Sequence, residues 1–104
     1  MALYPCPFLD GHVECSKDRK AHIDQRHPDL QPGGWERIAA TLEDPDQVRR
    51  SVRFLNARLF SRWYDVLGKH VVVVVLSEPS GRHWIVTAYV ARKLAVGEVE
   101  WTRI

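Results

Sequence analysis

Two parts of the sequence carry side chains that could transfer protons and hold a phosphate. The first contains His22, Arg26 and His27 within a short polar stretch, and the second contains Thr87 and Tyr89 within an apolar one. An imidazole changes charge near neutral pH, so it can act as a general base or a general acid. A guanidinium, a hydroxyl and a phenol can stabilise the charge that develops on a phosphate. These residue types together predict acid–base chemistry on a phosphate ester, although isolated histidines are more often structural.

The polar stretch is predicted to be a helix. Ser16 is a good N-cap for a helix over residues 17–27, and Pro28 disfavours helical geometry at the residue before it. His22 and Arg26 are four residues apart and therefore share one face of this helix. We expect that face to be basic and exposed to solvent.

The apolar stretch is predicted to be a strand over residues 83–92. Alternation along it places His83 and Ile85 on the same face as Thr87 and Tyr89. A hydroxyl, a phenol and an imidazole replace aliphatic side chains on this face, so we expect it to line a cleft. His83 therefore joins the candidate substrate-binding residues, and the opposite face is expected to lie under the helices.

The remaining elements follow from periodicity and turn residues. Apolar residues recur at helical spacing from Trp35 to Leu42, and the dipeptide Asp44-Pro45 predicts a further turn over residues 46–50. The dipeptide Asp10-Gly11 suits a hairpin or a simple reversal. Segments rich in β-branched and aromatic residues predict strands over residues 51–56, 58–65, 70–77, 83–92 and 98–103.

Short connections between these strands favour antiparallel neighbours. Val71 to Val75 has no polar residue, which is typical of a central strand that is covered on both sides. The expected fold is α+β, with the N-terminal helices packed on one face of a four- to five-stranded antiparallel meander sheet.

Positive charge is concentrated in residues 49–62, which contain five arginines and no acidic residue, whereas the whole chain has a net charge of +2. Arg58 and Arg62 in this window, and Tyr64 just after it, occupy alternate positions of a predicted strand and therefore share one of its faces. Guanidinium groups bind phosphates and aromatic rings stack on unpaired bases, so these residues are candidate substrate-binding residues for single-stranded nucleic acid. The alternative is a solvated strand whose arginines lie over apolar neighbours.

Length and composition narrow the class of protein. A chain of 104 residues that is 45% hydrophobic fits one globular domain, which we take as residues 1–104. The longest apolar run, Val71 to Leu76, is much too short to cross a bilayer. The first residues lack the pattern of a secretory signal, so we expect a cytoplasmic protein without a membrane partner.

Zinc binding is an alternative reading of Cys6, Cys15, His22 and His27. Thiolate and imidazole are the right ligand types, but the spacing contains no Cys-x-x-Cys knuckle. His22 and His27 would also point about 140° apart on a regular helix. We therefore expect free thiols, no metal and no cofactor, and keep a zinc-stabilised interaction domain as an alternative.

The order of these motifs resembles the barnase/EndoU/colicin/RelE-like nuclease superfamily, especially its phage and toxin branches. The resemblance covers roughly residues 16–92. It depends on His22-Ile23, on Arg26-His27-Pro28 and, most specifically, on the run from Ile85 to Tyr89. Members of these branches often follow the tyrosine with a proline, whereas this chain has Val90.

The resemblance implies a metal-independent ribonuclease of the toxin or phage effector type. His22 matches the helical histidine, Thr87 the strand hydroxyl and Tyr89 a frequent neighbour, and Arg26 and His27 are looser matches. We expect His22, Arg26, Thr87 and Tyr89 to be catalytic, His27 to be a substrate-binding residue, and RNA to be the substrate. An immunity or antitoxin partner is left open. The main alternative is a module that binds single-stranded nucleic acid without cleaving it.

Overall fold

The computed structural model describes residues 1–54 and 56–104. These residues form seven strands, two α-helices and two 3-10 helices. The strands are β1 Ala2–Cys6, β2 Gly11–Cys15, β3 Gln47–Ser51, β4 Ala57–Tyr64, β5 Lys69–Ser77, β6 His83–Ala91 and β7 Gly97–Thr102. The helices are α1 Lys17–Arg26 and α2 Gly34–Glu43, and the 3-10 helices are Pro7–Leu9 and Pro28–Leu30.

All seven strands belong to one mixed sheet in the order β1-β2-β6-β5-β4-β3-β7. Neighbours are antiparallel except β2 and β6, which pair in parallel through Glu14 and Trp84. The predicted four- to five-stranded antiparallel meander is therefore wrong. Only β3 to β6 form a meander, and the hairpin β1-β2 and strand β7 extend it on either side. These added pairings connect segments that are far apart in sequence, which local periodicity does not report.

Strand β3 replaces the predicted helical turn over residues 46–50. Most residues of β3 are polar, so the sequence does not indicate a strand there. Val48 within it is buried and pairs with Phe60. The strand predicted over residues 51–56 is also wrong for residues 52–54, which are not in a strand, and residue 55 lies outside the described residues. β3 forms because two neighbours, β4 and β7, satisfy its backbone hydrogen bonds.

Both predicted α-helices are confirmed. The Ser16 hydroxyl accepts a hydrogen bond from the Arg19 amide at 3.1 Å and so caps α1. In α2, Ile38 and Leu42 are fully buried and pack in the core with β5 residues such as Val73. The sheet face that carries Val71, Val73 and Val75 is therefore the inner face, covered by α2, and the opposite face is called the outer face here.

The outer face is crossed by residues 92–96, which connect β6 to β7 at the far edge of the sheet. Leu94, Ala95 and Val96 line depressions together with outer-face side chains such as Leu59 and Val74. Val72, which lies on this face, is only 1% exposed. The prediction that the valine-rich strand is central and covered on both sides is confirmed, with the connection serving as the second cover.

The start of β7 needs a glycine. A Cβ at Gly97 would overlap the carbonyl oxygen of Arg50 and lie 3.4 Å from the Cβ of Arg49. The absence of a side chain therefore allows β7 to approach β3 closely where the connection ends.

Among the described residues, no helix has both the length and the apolar content that a bilayer crossing requires.

Candidate functional site

A β-bulge decides which side chains of β6 reach the outer face. Val74 pairs with Thr87 and Val75 pairs with Ile85, so Val86 is an extra residue on β6. A bulge shifts the alternation by one residue, and it places Ile85 in the core while Thr87 and Tyr89 face outward.

The predicted faces are consequently wrong for the first half of this strand. His83 pairs with Ser77, whose position alternates with the core residue Val75, so His83 lies on the inner side. Its Nδ1 is 2.6 Å from the Ser77 hydroxyl oxygen. Trp84 lies on the outer side instead. The structure therefore does not bring His83 together with Thr87.

Thr87 and Tyr89 line a cavity of about 480 Å³ on the outer face. Aliphatic side chains of β4 and β5, including Leu59, form part of its lining. The rim includes the exposed side chains of Phe54 and Val96, from the loop after β3 and from the crossing connection. The volume lies within the range of small-ligand sites, and the lining is mostly apolar with few polar groups, as is typical of such sites.

The end of α1 places an imidazole beside Tyr89. His27 is the C-cap residue of α1, and its ring lies 6.2 Å from that of Tyr89 between centroids, at an interplanar angle of 40°. Burial raises the pKa of the Tyr89 phenol above its ordinary value, so the phenol is protonated at neutral pH. A protonated phenol can donate a hydrogen bond or a proton, and an imidazole is next to it.

The two other helical candidates lie apart from the cavity. His22 is exposed and lines an open depression with Ser16, Asp18 and Arg19 at the first turns of α1. Arg26 is exposed at the last position of α1, next to His27. Among the described residues, the Thr87 cavity is lined by none of His22, Arg26 and His27, but His27 contacts Tyr89, which does line it. The structure therefore joins Thr87 and Tyr89 to His27 and places His22 elsewhere on α1.

Three of the five arginines of the basic window, Arg50, Arg58 and Arg62, form ion pairs with acidic residues. Arg58 Nε donates to Glu100 Oε1 at 2.8 Å, and Arg50 donates to the other oxygen of the same carboxylate at 2.9 Å. Burial alone would raise the pKa of Glu100, but hydrogen bonds and charge from the two arginines outweigh it and hold this pKa below its ordinary value. Arg62 donates to the Asp44 carbonyl oxygen at 3.2 Å.

Tyr64 also belongs to the inner side. Its hydroxyl donates to the Arg37 carbonyl oxygen on α2 at 3.1 Å. Arg58, Arg62 and Tyr64 alternate with outer-face residues along β4 and share the side of the buried Phe60. The structure therefore places these three predicted substrate-binding residues on the face opposite the Thr87 cavity.

Sequence reasoning missed a group of cations at the end of β6. Arg92 and Lys93 follow the strand directly and are exposed, and Lys69 begins the neighbouring strand β5. Within the described part of the chain, none of the three has a hydrogen-bonded acid or an ion pair. The dipeptide Arg92-Lys93 immediately after the tyrosine-bearing strand was the available signal.

The proposed zinc ligands are not clustered. Cys6 and Cys15 are both buried and free, and burial raises the pKa of each thiol. His22 is exposed on α1 and His27 is beside Tyr89. Within residues 1–54 and 56–104, no three histidine, cysteine, aspartate or glutamate side chains are arranged to hold a metal ion.

The chain has no match among protein-family models, curated proteins or solved structures.

Proposed function

We propose that this protein is a metal-independent endoribonuclease that cleaves RNA by attack of a ribose 2′-hydroxyl on the adjacent phosphate. The observation that carries the proposal is the position of the His27 imidazole beside Tyr89, whose ring lines the same cavity as Thr87. An imidazole beside a protonated phenol supplies a base and an acid, and the Thr87 hydroxyl in the cavity supplies a hydrogen-bond donor.

The proposed reaction requires two proton transfers and one exchange of bonds at phosphorus. His27 accepts the proton of the 2′-hydroxyl, and the 2′-oxygen forms a bond to phosphorus. The bond from phosphorus to the 5′-oxygen breaks, and Tyr89 gives its proton to the leaving oxygen. The products are a 2′,3′-cyclic phosphate and a free 5′-hydroxyl. The adjacent imidazolium then returns a proton to the phenolate.

Thr87 and the cavity have supporting roles in this scheme. The Thr87 hydroxyl donates to a non-bridging oxygen and stabilises its charge in the transition state. The apolar walls take up the base of the nucleotide, because every nucleobase presents an apolar face. Arg26, at the end of α1 next to His27, is a candidate for phosphate binding as the resemblance implies.

The proposed cellular role follows from the same resemblance. The resemblance to phage and toxin nucleases supports an effector that acts on RNA in a cytoplasm. An immunity or antitoxin protein would be its natural partner.

The test is incubation of the purified chain with RNA in the presence of a chelator. Cleavage that yields 2′,3′-cyclic phosphate ends is the expected result. RNA that remains intact at micromolar protein would overturn the proposal. Bound but intact RNA would instead support the alternative of a non-catalytic module for single-stranded nucleic acid, which the unpaired cations after β6 favour.

A further inference from the structure

An exposed indole lies on the outer face near the end of β4. Trp63 is 42% exposed, although tryptophan side chains are usually largely buried. It pairs with His70 across β4 and β5, and their rings are 5.0 Å apart in an edge-to-face arrangement. The indole Nε1 donates to Asp65 Oδ1 at 2.8 Å. The ring is therefore held in one orientation and its only polar group is satisfied.

The unpaired cations lie beside this indole. His70 pairs with Ala91, the last residue of β6, so Arg92 and Lys93 begin one residue beyond that pair. Consecutive Cα atoms are 3.8 Å apart, so the Cα of Lys93 is at most about 7.6 Å from that of Ala91. Lys69 precedes His70 on β5. Lys69 pairs with Tyr64 and therefore faces the inner side, so two cations, Arg92 and Lys93, lie at the end of the sheet where Trp63 is exposed.

The same end of the sheet contains the proposed reaction site. Tyr89 precedes Ala91 by two residues and faces the same side as Trp63. With strands about 4.8 Å apart and a rise of about 3.4 Å per residue, the Cα atoms of Trp63 and Tyr89 are about 12 Å apart. A nucleic-acid strand that contacts both passes over residues 92–96, which cross this face.

We propose that Trp63, with Arg92 and Lys93, forms a subsite that binds the single-stranded RNA flanking the cleaved phosphate. A rigid exposed indole stacks on an unpaired base, and neighbouring cations neutralise the phosphates on either side. A double helix keeps its bases stacked on one another, so the subsite selects unpaired RNA. The inference rests on the proposed function for the identity of the substrate.

The test measures binding separately from cleavage. A labelled single-stranded 2′-O-methyl oligonucleotide lacks the attacking hydroxyl, so it is bound without being cut, and fluorescence anisotropy gives its Kd. We expect Trp63→Ala to weaken binding by about fivefold or more, in line with base–aromatic stacking. Trp63→Phe keeps an aromatic ring and should retain most of the affinity. This variant shows whether a loss in Trp63→Ala comes from the missing ring or from a folding defect.

Trp101 provides a matched control because it is 39% exposed but lines a depression with Phe8 and Pro45, away from Trp63. Trp101→Ala should leave the affinity unchanged. Equal effects of the two tryptophan substitutions, or no effect of Trp63→Ala, would overturn the inference. Failure of the wild-type chain to bind the oligonucleotide would overturn it as well.

The role of the cations is tested by measuring how the binding constant depends on salt concentration. The double substitution Arg92→Ser, Lys93→Ser should reduce the slope of log K against log salt by about 1.4, because each phosphate contact on a single strand contributes about 0.7. Lys17→Ser with Arg19→Ser removes the same charge from the first turn of α1 and should not change the slope. Equal slopes for both double variants would contradict the subsite.

Kinetics separate this inference from the proposed function. With cleavable RNA, Trp63→Ala should raise KM by about the same factor as the Kd and leave kcat close to the wild-type value, since the indole does not touch the reacting atoms. If the wild-type chain binds the analogue through Trp63 but never cleaves RNA, the ribonuclease proposal fails and the binding subsite is retained.

Discussion

The rings of His27 and Tyr89 lie 6.2 Å apart between centroids and join the end of α1 to the second half of β6. Beyond Trp84, no described strand pairs with this edge of β6, because β2 ends at Cys15. Helix α1 follows β2 after one residue and contacts β6. The short β2 therefore leaves this edge of β6 free for the end of α1, which places an imidazole beside Tyr89.

The choice between the two helical histidines is the first prediction. His27→Ala should reduce the rate of RNA cleavage by about a hundredfold to ten-thousandfold, the usual effect of losing a general acid or base. His22→Ala should have a small effect, because His22 lies in a separate depression at the start of α1. Rates are measured on a labelled RNA at constant pH. The reverse order of effects would restore His22 as the base.

The hydroxyl groups of the cavity are tested by substitutions that remove one oxygen atom each. Tyr89→Phe removes the proton donor, and Thr87→Val removes the hydrogen-bond donor to the phosphate. We expect each variant to lose about a hundredfold in kcat, which is the scale of one acid or one oxyanion donor. Thermal unfolding should remain close to that of the wild type. Full activity in both variants would exclude this cavity as the reaction site.

Alkaline pH should destabilise the fold through the buried thiols. Burial raises the pKa of Cys6 and Cys15 above the ordinary value of 9.0. The unfolded chain therefore releases these protons at a lower pH than the folded chain does. The free energy of unfolding should fall as the pH rises through 9 toward the raised values. Urea unfolding under reducing conditions measures this decrease.

The control for the alkaline effect is Cys6→Ala, Cys15→Ala. This variant starts from a lower stability because two buried side chains become smaller, but its stability should depend less on pH above 9. The phenol of Tyr89, whose pKa burial also raises, contributes a further decrease above pH 10 in both proteins. An identical pH dependence in the two proteins would show that the thiols do not contribute.

Gly97→Ala should destabilise the protein by about 1–3 kcal/mol, because the added methyl group overlaps the Arg50 carbonyl oxygen in the neighbouring strand. Gly11→Ala is the matched control. The nearest atom to a Cβ at Gly11, the Leu9 carbonyl oxygen, is 3.9 Å away. Chemical denaturation of both variants provides the comparison, and equal stabilities would mean that β7 shifts away from β3 without cost.

The carboxylate of Glu100 connects β7 to β3 and β4 through Arg50 and Arg58. Glu100→Gln should reduce the free energy of unfolding by about 1 kcal/mol at neutral pH. The lowered pKa of Glu100 means that its contribution is present above the ordinary value of 4.5 and is lost as the pH falls through the folded value.

Stability should therefore differ between wild type and Glu100→Gln at neutral pH and converge in acid. Glu98→Gln, an exposed position on the same strand, is the control.

Arg58→Ala should likewise reduce stability and leave the salt dependence of RNA binding unchanged, since its guanidinium is engaged with Glu100. A reduced salt slope would return Arg58 to the substrate-binding residues.

The elements that depend on neighbouring residues could be predicted from the sequence. Ser16 and Pro28 bound α1, and the spacing from Trp35 to Leu42 corresponds to α2. The run of valines in β5 indicated a strand that is buried on both faces. Capping, helical periodicity and uninterrupted apolar runs are local properties, so one stretch of sequence contains the whole signal.

Only the tertiary structure decided the pairings and the grouping of side chains. The parallel contact of β2 with β6 and the position of β7 beside β3 join distant segments, and no local pattern specifies them. The bulge at Val86 moved Ile85 into the core because filling the core outweighs strict alternation. Glu100 neutralised Arg58 across 42 positions of sequence. Burial and charge pairing are satisfied over the whole fold, which is why His27, not His22, came to lie beside Tyr89.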